Sequence, residues 1–154
     1  MMEQYGFKMK KKIMPPTYFF ILLGLSILFH FILPIKKIIF IPYSYFGWLL
    51  ILFGAVLNLW TDALFKKHKT TVKPGKKSDK FIIEGPFKIS RHPMYLGMFC
   101  ILLGVAIIHG SLSGFIFPAV FIILMEKLFI KLEEEEMSKF KAYKDYKKRV
   151  RKWI

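Results

Sequence analysis

The sequence predicts an all-α membrane protein of four transmembrane helices followed by a cytosolic, amphipathic, helical C-terminal segment. Three observations carry that reading. With 55% hydrophobic residues, 18% aromatics and a mean hydropathy of +0.41, the chain lies outside the composition of soluble globular domains. Its 154 residues leave room for one domain, residues 1–154. Its apolar residues gather into four segments, near 18–33, 43–65, 93–109 and 112–131, each close to the length that crosses a hydrocarbon core of about 30 Å. The net charge of +15 is confined almost wholly to the connections. Four Lys and Arg precede Tyr18, two lie in 35–42, nine in 66–91 and nine from Lys131 onward, with Lys127 just inside the last segment. If the segments alternate in direction, only Lys36 and Lys37 face outward, the positive-inside pattern of a multi-pass protein with both termini cytosolic. A prokaryotic inner membrane is the expected location.

The first helix follows a basic opening, MMEQYGFKMKKKIMPP, that ends in no small-x-small cleavage site and so reads as an uncleaved membrane helix. It holds Ser26 and His30 and stops at Pro34; His30, near the outer end, fits a hydrogen-bonded structural role. The second begins after Pro42 with Tyr43, Tyr45, Phe46 and Trp48, an interfacial aromatic belt. Toward its inner end Asn58 and Asp62 share a face, where Asp62 either pairs with Lys66 or meets a ligand. The basic stretch Lys66–Lys80 carries a Pro74-Gly75 turn signal and suits anionic lipid better than nucleic acid. The third helix starts at Pro93, whose fixed φ and missing donor suit a first helical position, with Ser90 or His92 as cap. Met94–Ile108 follows without a charge, and Cys100 within it reads as a small buried hydrophobe. His109-Gly110-Ser111 makes the third and fourth helices antiparallel neighbours, and Pro118 predicts a kink in the fourth.

Polar residues converge at the mouth of the third helix. Arg91 and His92 stand at its N-terminus, with Tyr95 one turn in from Arg91 and on the flank of His92. Glu133–Glu136, at the inner end of the fourth helix, lie at the unfavourable C-terminal pole if the helix stops there, so a cation should compensate them. Beyond, in the 132–154 segment, Phe140, Tyr143, Tyr146, Val150 and Trp153 recur at helical spacing opposite lysines, which describes an amphipathic helix lying on the membrane or on the basic loop. No GxGxxG, P-loop or Cys/His cluster with metal-ligand spacing is present, so soluble nucleotide-binding folds and zinc chemistry have no support. A helix N-terminus with Arg91 suits a carboxylate, and Glu side chains with the Tyr95 ring suit a cation. S-adenosylmethionine carries both groups.

These residues resemble the integral membrane methyltransferases that include isoprenylcysteine carboxyl methyltransferase and the phospholipid N-methyltransferases. The shared signature is Arg91-His92-Pro93-Met94-Tyr95 followed by Lys131-Leu132-Glu133-Glu134, flanked by Gly85-Pro86-Phe87, Gly97 and the tail Tyr143-x-x-Tyr146-Lys147-Lys148-Arg149-Val150. Two departures stand out: Phe140 is followed by Lys141 where the family has Phe-Gly, and the interval from the Glu pair to the first tail tyrosine is shorter. The four-long acidic run also lets Glu135 and Glu136 be the matching pair; Lys131-Leu132 favours Glu133 and Glu134.

The resemblance implies an S-adenosylmethionine pocket at the cytosolic ends of the third and fourth helices, closed over by the C-terminal segment. Its cofactor-binding residues would be Arg91, His92, Tyr95, Gly97, Glu133 and Glu134. It further implies a lipidic or hydrophobic acceptor reached from the bilayer. A carboxylate acceptor wants a cationic anchor, Arg149 or Arg151; an amine acceptor wants a base such as Glu134. Two other readings compete: a sterol-reductase-like NADPH enzyme, and a non-enzymatic basic protein acting at anionic lipid or as a partner subunit.

Overall fold

A computed structural model describes residues 14–68 and 82–154, and among these the ordered elements are helical apart from an isolated bridge between Lys37 and Ser111. The Pro74-Gly75 turn lies outside the described residues. Helix α1 spans Pro15–Ile32, opening three residues earlier than expected because two prolines occupy its first turn, where a missing amide donor breaks no intrahelical bond. It ends two residues before Pro34. Helix α2, Tyr45–Lys67, runs two residues past its expected end and carries the i,i+4 ion pair of Asp62 with Lys66 at 2.6 Å. Helix α3 spans Pro93–His109 and closes on Gly110, whose φ of 67° lets its N–H reach the Ala106 carbonyl.

The fourth segment departs from the sequence reading. A 3-10 turn, Leu112–Phe115, leads into α4, Ile116–Met125. A π-helical turn, Glu126–Ile130, then passes into α5, Lys131–Met137, with helical backbone at each junction. Pro118 falls in the first turn of α4, where an absent N–H costs no intrahelical bond, and the irregularity of the segment is the π turn instead. Continuing the helix to Met137 carries the acidic run beyond the expected end at residue 131. Helix α6, Tyr143–Arg149, is one short helix rather than the longer amphipathic one expected; Val150 after it is extended.

Two packing modes hold the helices. Helices α2 and α3 meet almost backbone to backbone. A Cβ on Gly47 would collide with the Gly104 carbonyl oxygen, and one on Gly54 with that of Gly97. The glycines are seven apart on each helix, two full turns, so they recur on one antiparallel seam. By contrast, α1 packs on α4 through rings: Phe19 on Phe121 at 6.4 Å and Phe29 on Phe117 at 5.4 Å. Leu22, Met98, Leu102 and Met125 complete that core. At the far end of the bundle His30 stacks on His109 at 4.4 Å and bonds Ser111 at 3.1 Å.

Helices α1 and α2 are long and apolar enough to cross a membrane, yet only 22% and 17% of their most apolar windows are buried. A soluble protein hides its core helices, so these bare apolar faces suit a hydrocarbon environment. Helix α3 is apolar but shorter.

Candidate functional site

The mouth of α3 is built by local turn chemistry. Gly85, at a φ of 56°, opens a 3-10 turn, Gly85–Lys88, that brings Phe87 into contact with Tyr143 and Tyr146. His92 is the N-cap of α3 but makes no side-chain cap bond. The Ser90 hydroxyl instead accepts the His92 N–H at 3.1 Å and donates to the Lys152 carbonyl at 2.9 Å. This leaves the His92 ring available, and both Arg91 and His92 are buried, at 6% and 4% exposure.

Their partners are Glu133 and Glu134 on α5. Adjacent residues on a helix are about 100° apart, so a neighbouring pair straddles one face and can engage two sets of partners. Glu133 accepts from the Tyr95 hydroxyl at 2.6 Å and lies 3.2 Å from His92 Nδ1. Glu134 lies 2.7 Å from Arg91 Nη1 and 3.6 Å from His92 Nε2. Glu135 and Glu136 are exposed, Glu135 at the rim of the cavity that Glu134 lines.

The cations beside Glu133 and Glu134 are therefore Arg91, His92, Lys147 and Lys152. Lys152 Nζ forms an ion pair with Glu126 on the π turn and stands 3.9 Å from Glu134. Burial alone would raise the pKa of Glu134, but His92, Arg91 and Lys152 outweigh it and hold the carboxyl at about 2. Burial would likewise disfavour the His92 cation, yet Glu133 and Glu134 raise its pKa above the ordinary value. At neutral pH the site contains Glu134 as an anion facing the buried Arg91 guanidinium.

The tail closes over this cluster. The Arg91 amide donates to the Arg151 carbonyl at 3.1 Å, Arg91 Nη1 donates to the Tyr143 hydroxyl at 3.1 Å, and the Tyr146 hydroxyl donates to the Phe87 carbonyl at 2.6 Å. Beneath the tail, Glu126, Glu134, Lys131, Lys147 and Lys152 line a polar cavity of about 240 Å³. Outside that lining, Arg91 Nε is buried without a hydrogen-bond partner, while Glu134 Oε1 sits between Arg91 Nη1 at 2.7 Å and His92 Nε2 at 3.6 Å. A buried donor such as Arg91 Nε is costly to leave unsatisfied and marks a place where a polar ligand has something to gain.

Of the residues singled out in the sequence, Arg91, His92, Tyr95, Glu133 and Glu134 come together. Gly97 does not: it lies on the α2–α3 seam, where a Cβ would stand 2.5 Å from Asn58 Oδ1. Arg149 is exposed, its Nε donating to the Asp145 carbonyl at 3.4 Å on its own helix. Arg151 joins through its backbone, with its side chain exposed. Sequence reasoning missed Lys152, one lysine among many, and Tyr143, whose position in the tail pattern was visible without its partner.

Residues 43–145 match the family described as phospholipid methyltransferase. No curated protein sequence matches. Among solved structures, the eukaryotic intramembrane Ras methyltransferase, isoprenylcysteine carboxyl methyltransferase, is similar at 26% identity with a TM-score of 0.67. That match covers 90% of this chain and 52% of the other, so this chain spans about half the length of that protein.

Proposed function

The chain belongs to the phospholipid methyltransferase family, and from that premise we propose that it transfers a methyl group from S-adenosylmethionine to a lipidic or hydrophobic acceptor at the inner face of the membrane. The observation that carries the reading is the buried mouth of α3, where Arg91, His92 and Tyr95 meet Glu133 and Glu134 and leave Arg91 Nε without a hydrogen-bond partner. S-adenosylmethionine supplies an electrophilic methyl on a sulfonium, a transfer that needs no metal. The work of the protein is to hold the reacting atoms close in a dry site. Arg91 and His92 would take the carboxylate, and the glutamates and the Tyr95 ring would face the cationic end. Four transmembrane passes with both termini cytosolic put this mouth on the side rich in Lys and Arg.

The open cavity of about 240 Å³ beside Glu134 is below the roughly 300–1,000 Å³ of ordinary small-molecule sites, so it would hold part of a nucleoside-sized cofactor. The electrostatics also bear on the acceptor. A carboxylate held at about 2 is a weak base, since useful general bases lie near the operating pH. Glu134 is therefore suited to stabilising positive charge rather than to deprotonating an ammonium. Glu133 faces the same cluster, so the reading covers both a prenylcysteine-type carboxylate and a phospholipid amine as acceptor. Arg149, proposed as the anchor of a carboxylate, would have to leave the Asp145 carbonyl to meet it.

The test is calorimetric titration of the detergent-purified protein with S-adenosylhomocysteine, beside a His92→Ala control. Micromolar binding abolished by the substitution is the expected result. No binding to folded protein, with a dinucleotide bound instead, would overturn the reading in favour of a reductase.

A further inference from the structure

The C-terminal segment has two sides with different partners. Its inner side ties down the mouth of α3 through Tyr143, Tyr146 and the carbonyls of Arg151 and Lys152. On the outer side Lys141, Lys144, Lys148 and Arg151 are exposed. Their spacing of three, four and three residues keeps them on one stripe wherever the path is helical. From Lys139 to Ile154 there are eight Lys and Arg against one acid, Asp145.

The chain then descends into the bundle. Trp153 packs edge-on against Phe99 at 6.4 Å, and Phe99 lies six residues into α3, about 9 Å beyond its start. Ile154 is 73% exposed. Trp153, packed against the core beside Phe99, anchors the end of the segment to α3 and holds the basic residues before it near the start of that helix.

We propose that the segment from Lys141 to Ile154 is a docking surface for anionic bilayer lipid, and that its lipid-docked form is the closed form of the site. The docking follows from charge and position alone; the link to closure rests on the methyltransferase reading. Each cation brought to an anionic surface multiplies binding by about fivefold. The attraction falls away beyond a Debye length of about 8 Å, so it acts on this stripe and is weakened by salt. Because the outward cations alternate along the chain with the groups that hold Ser90, Arg91 and Phe87, lipid that fixes the stripe also fixes those bonds. A neutral surface leaves the tail free to lift.

The experiment is hydrogen exchange of the tail amides, residues 143–153, with the full chain in nanodiscs of phosphatidylcholine alone and of phosphatidylcholine with phosphatidylglycerol. Exchange should be at least about tenfold slower in the anionic discs. Both high salt and the triple variant Lys141→Gln/Lys144→Gln/Lys148→Gln should abolish the difference. Equal exchange in the two discs would overturn the proposal, as would equal protection in neutral discs from added inorganic phosphate, which would mark a generic anion effect. S-adenosylhomocysteine titrated into the same discs reads the second half: tighter binding in anionic discs supports closure, and equal affinity overturns it. Protection without binding in either disc would leave the docking surface standing and remove the methyltransferase reading.

Discussion

Replacing Gly97 by Ala separates two roles that the sequence cannot. A Cβ there would stand 2.5 Å from Asn58 Oδ1, 2.8 Å from Asn58 Cγ and 2.8 Å from the Gly54 carbonyl oxygen. Ordinary contacts are several tenths of an ångström longer. Asn58 is a side chain that can turn aside, but the Gly54 carbonyl is backbone, so α2 itself must shift. Overpacking of that kind costs about 1–3 kcal/mol. Asn58 Oδ1 has no hydrogen-bond partner to lose, so Asn58→Ala should be mild by itself and should recover part of the Gly97→Ala loss. A double-mutant cycle on equilibrium unfolding in detergent should give a coupling of at least about 0.5 kcal/mol. S-adenosylhomocysteine affinity per folded molecule should hardly change. Wild-type stability for Gly97→Ala with lost affinity would refute the packing argument and return Gly97 to the cofactor.

Three further outcomes follow from the cluster. Glu134 titrates from 4.5 to about 2 on folding; at 1.36 kcal/mol per unit, discounted for partial screening, it contributes on the order of 1–3 kcal/mol. A depressed acid stabilises above its unfolded pKa and loses that contribution on acidification, so the stability gap between wild type and Glu134→Gln should close from pH 4.5 toward pH 2. It should narrow again at high pH, where His92, raised in part by Glu134, gives up its proton. An unchanged gap on acidification would count against the Arg91 and His92 pairing. Tyr95→Phe deletes a bond to a carboxylate, in the range of about 1.5–3 kcal/mol, and should weaken S-adenosylhomocysteine binding at least about tenfold in calorimetry while leaving the helical circular dichroism intact. Tyr146→Phe frees the Phe87 carbonyl and should speed exchange of the tail amides without comparable loss at α3; uniform destabilisation would show that the tail is not an independently opening unit.

The limits of α3 were legible to the residue because Pro93 and Gly110 punctuate them. The segment from 112 to 137 was not. Its continuation depends on Arg91, His92, Lys147 and Lys152 offsetting an acidic helix end, a tertiary pairing that no periodicity records. Lys131-Leu132 favoured Glu133 and Glu134 over Glu135 and Glu136, and it is Glu133 and Glu134 that contact Arg91, His92 and Tyr95. The seam was written in the sequence as two pairs of glycines, Gly47 with Gly54 and Gly97 with Gly104, each seven apart, but proximity to the His-Pro motif drew Gly97 toward the cofactor. Lys152 gave no signal, since only the fold distinguishes it from its neighbours.

The glycine seam also decides where the molecule can part. Carbonyls that meet glycines leave no width for an acyl chain, and prising α2 from α3 would break contacts that no side-chain rotation restores. The ring-packed side behaves differently: Phe19, Phe29, Phe117 and Phe121 can swing about their own bonds while the backbones stay in place. α2 and α3 thus form a fixed doorpost, and any sideways opening of the bundle falls to the aromatic side.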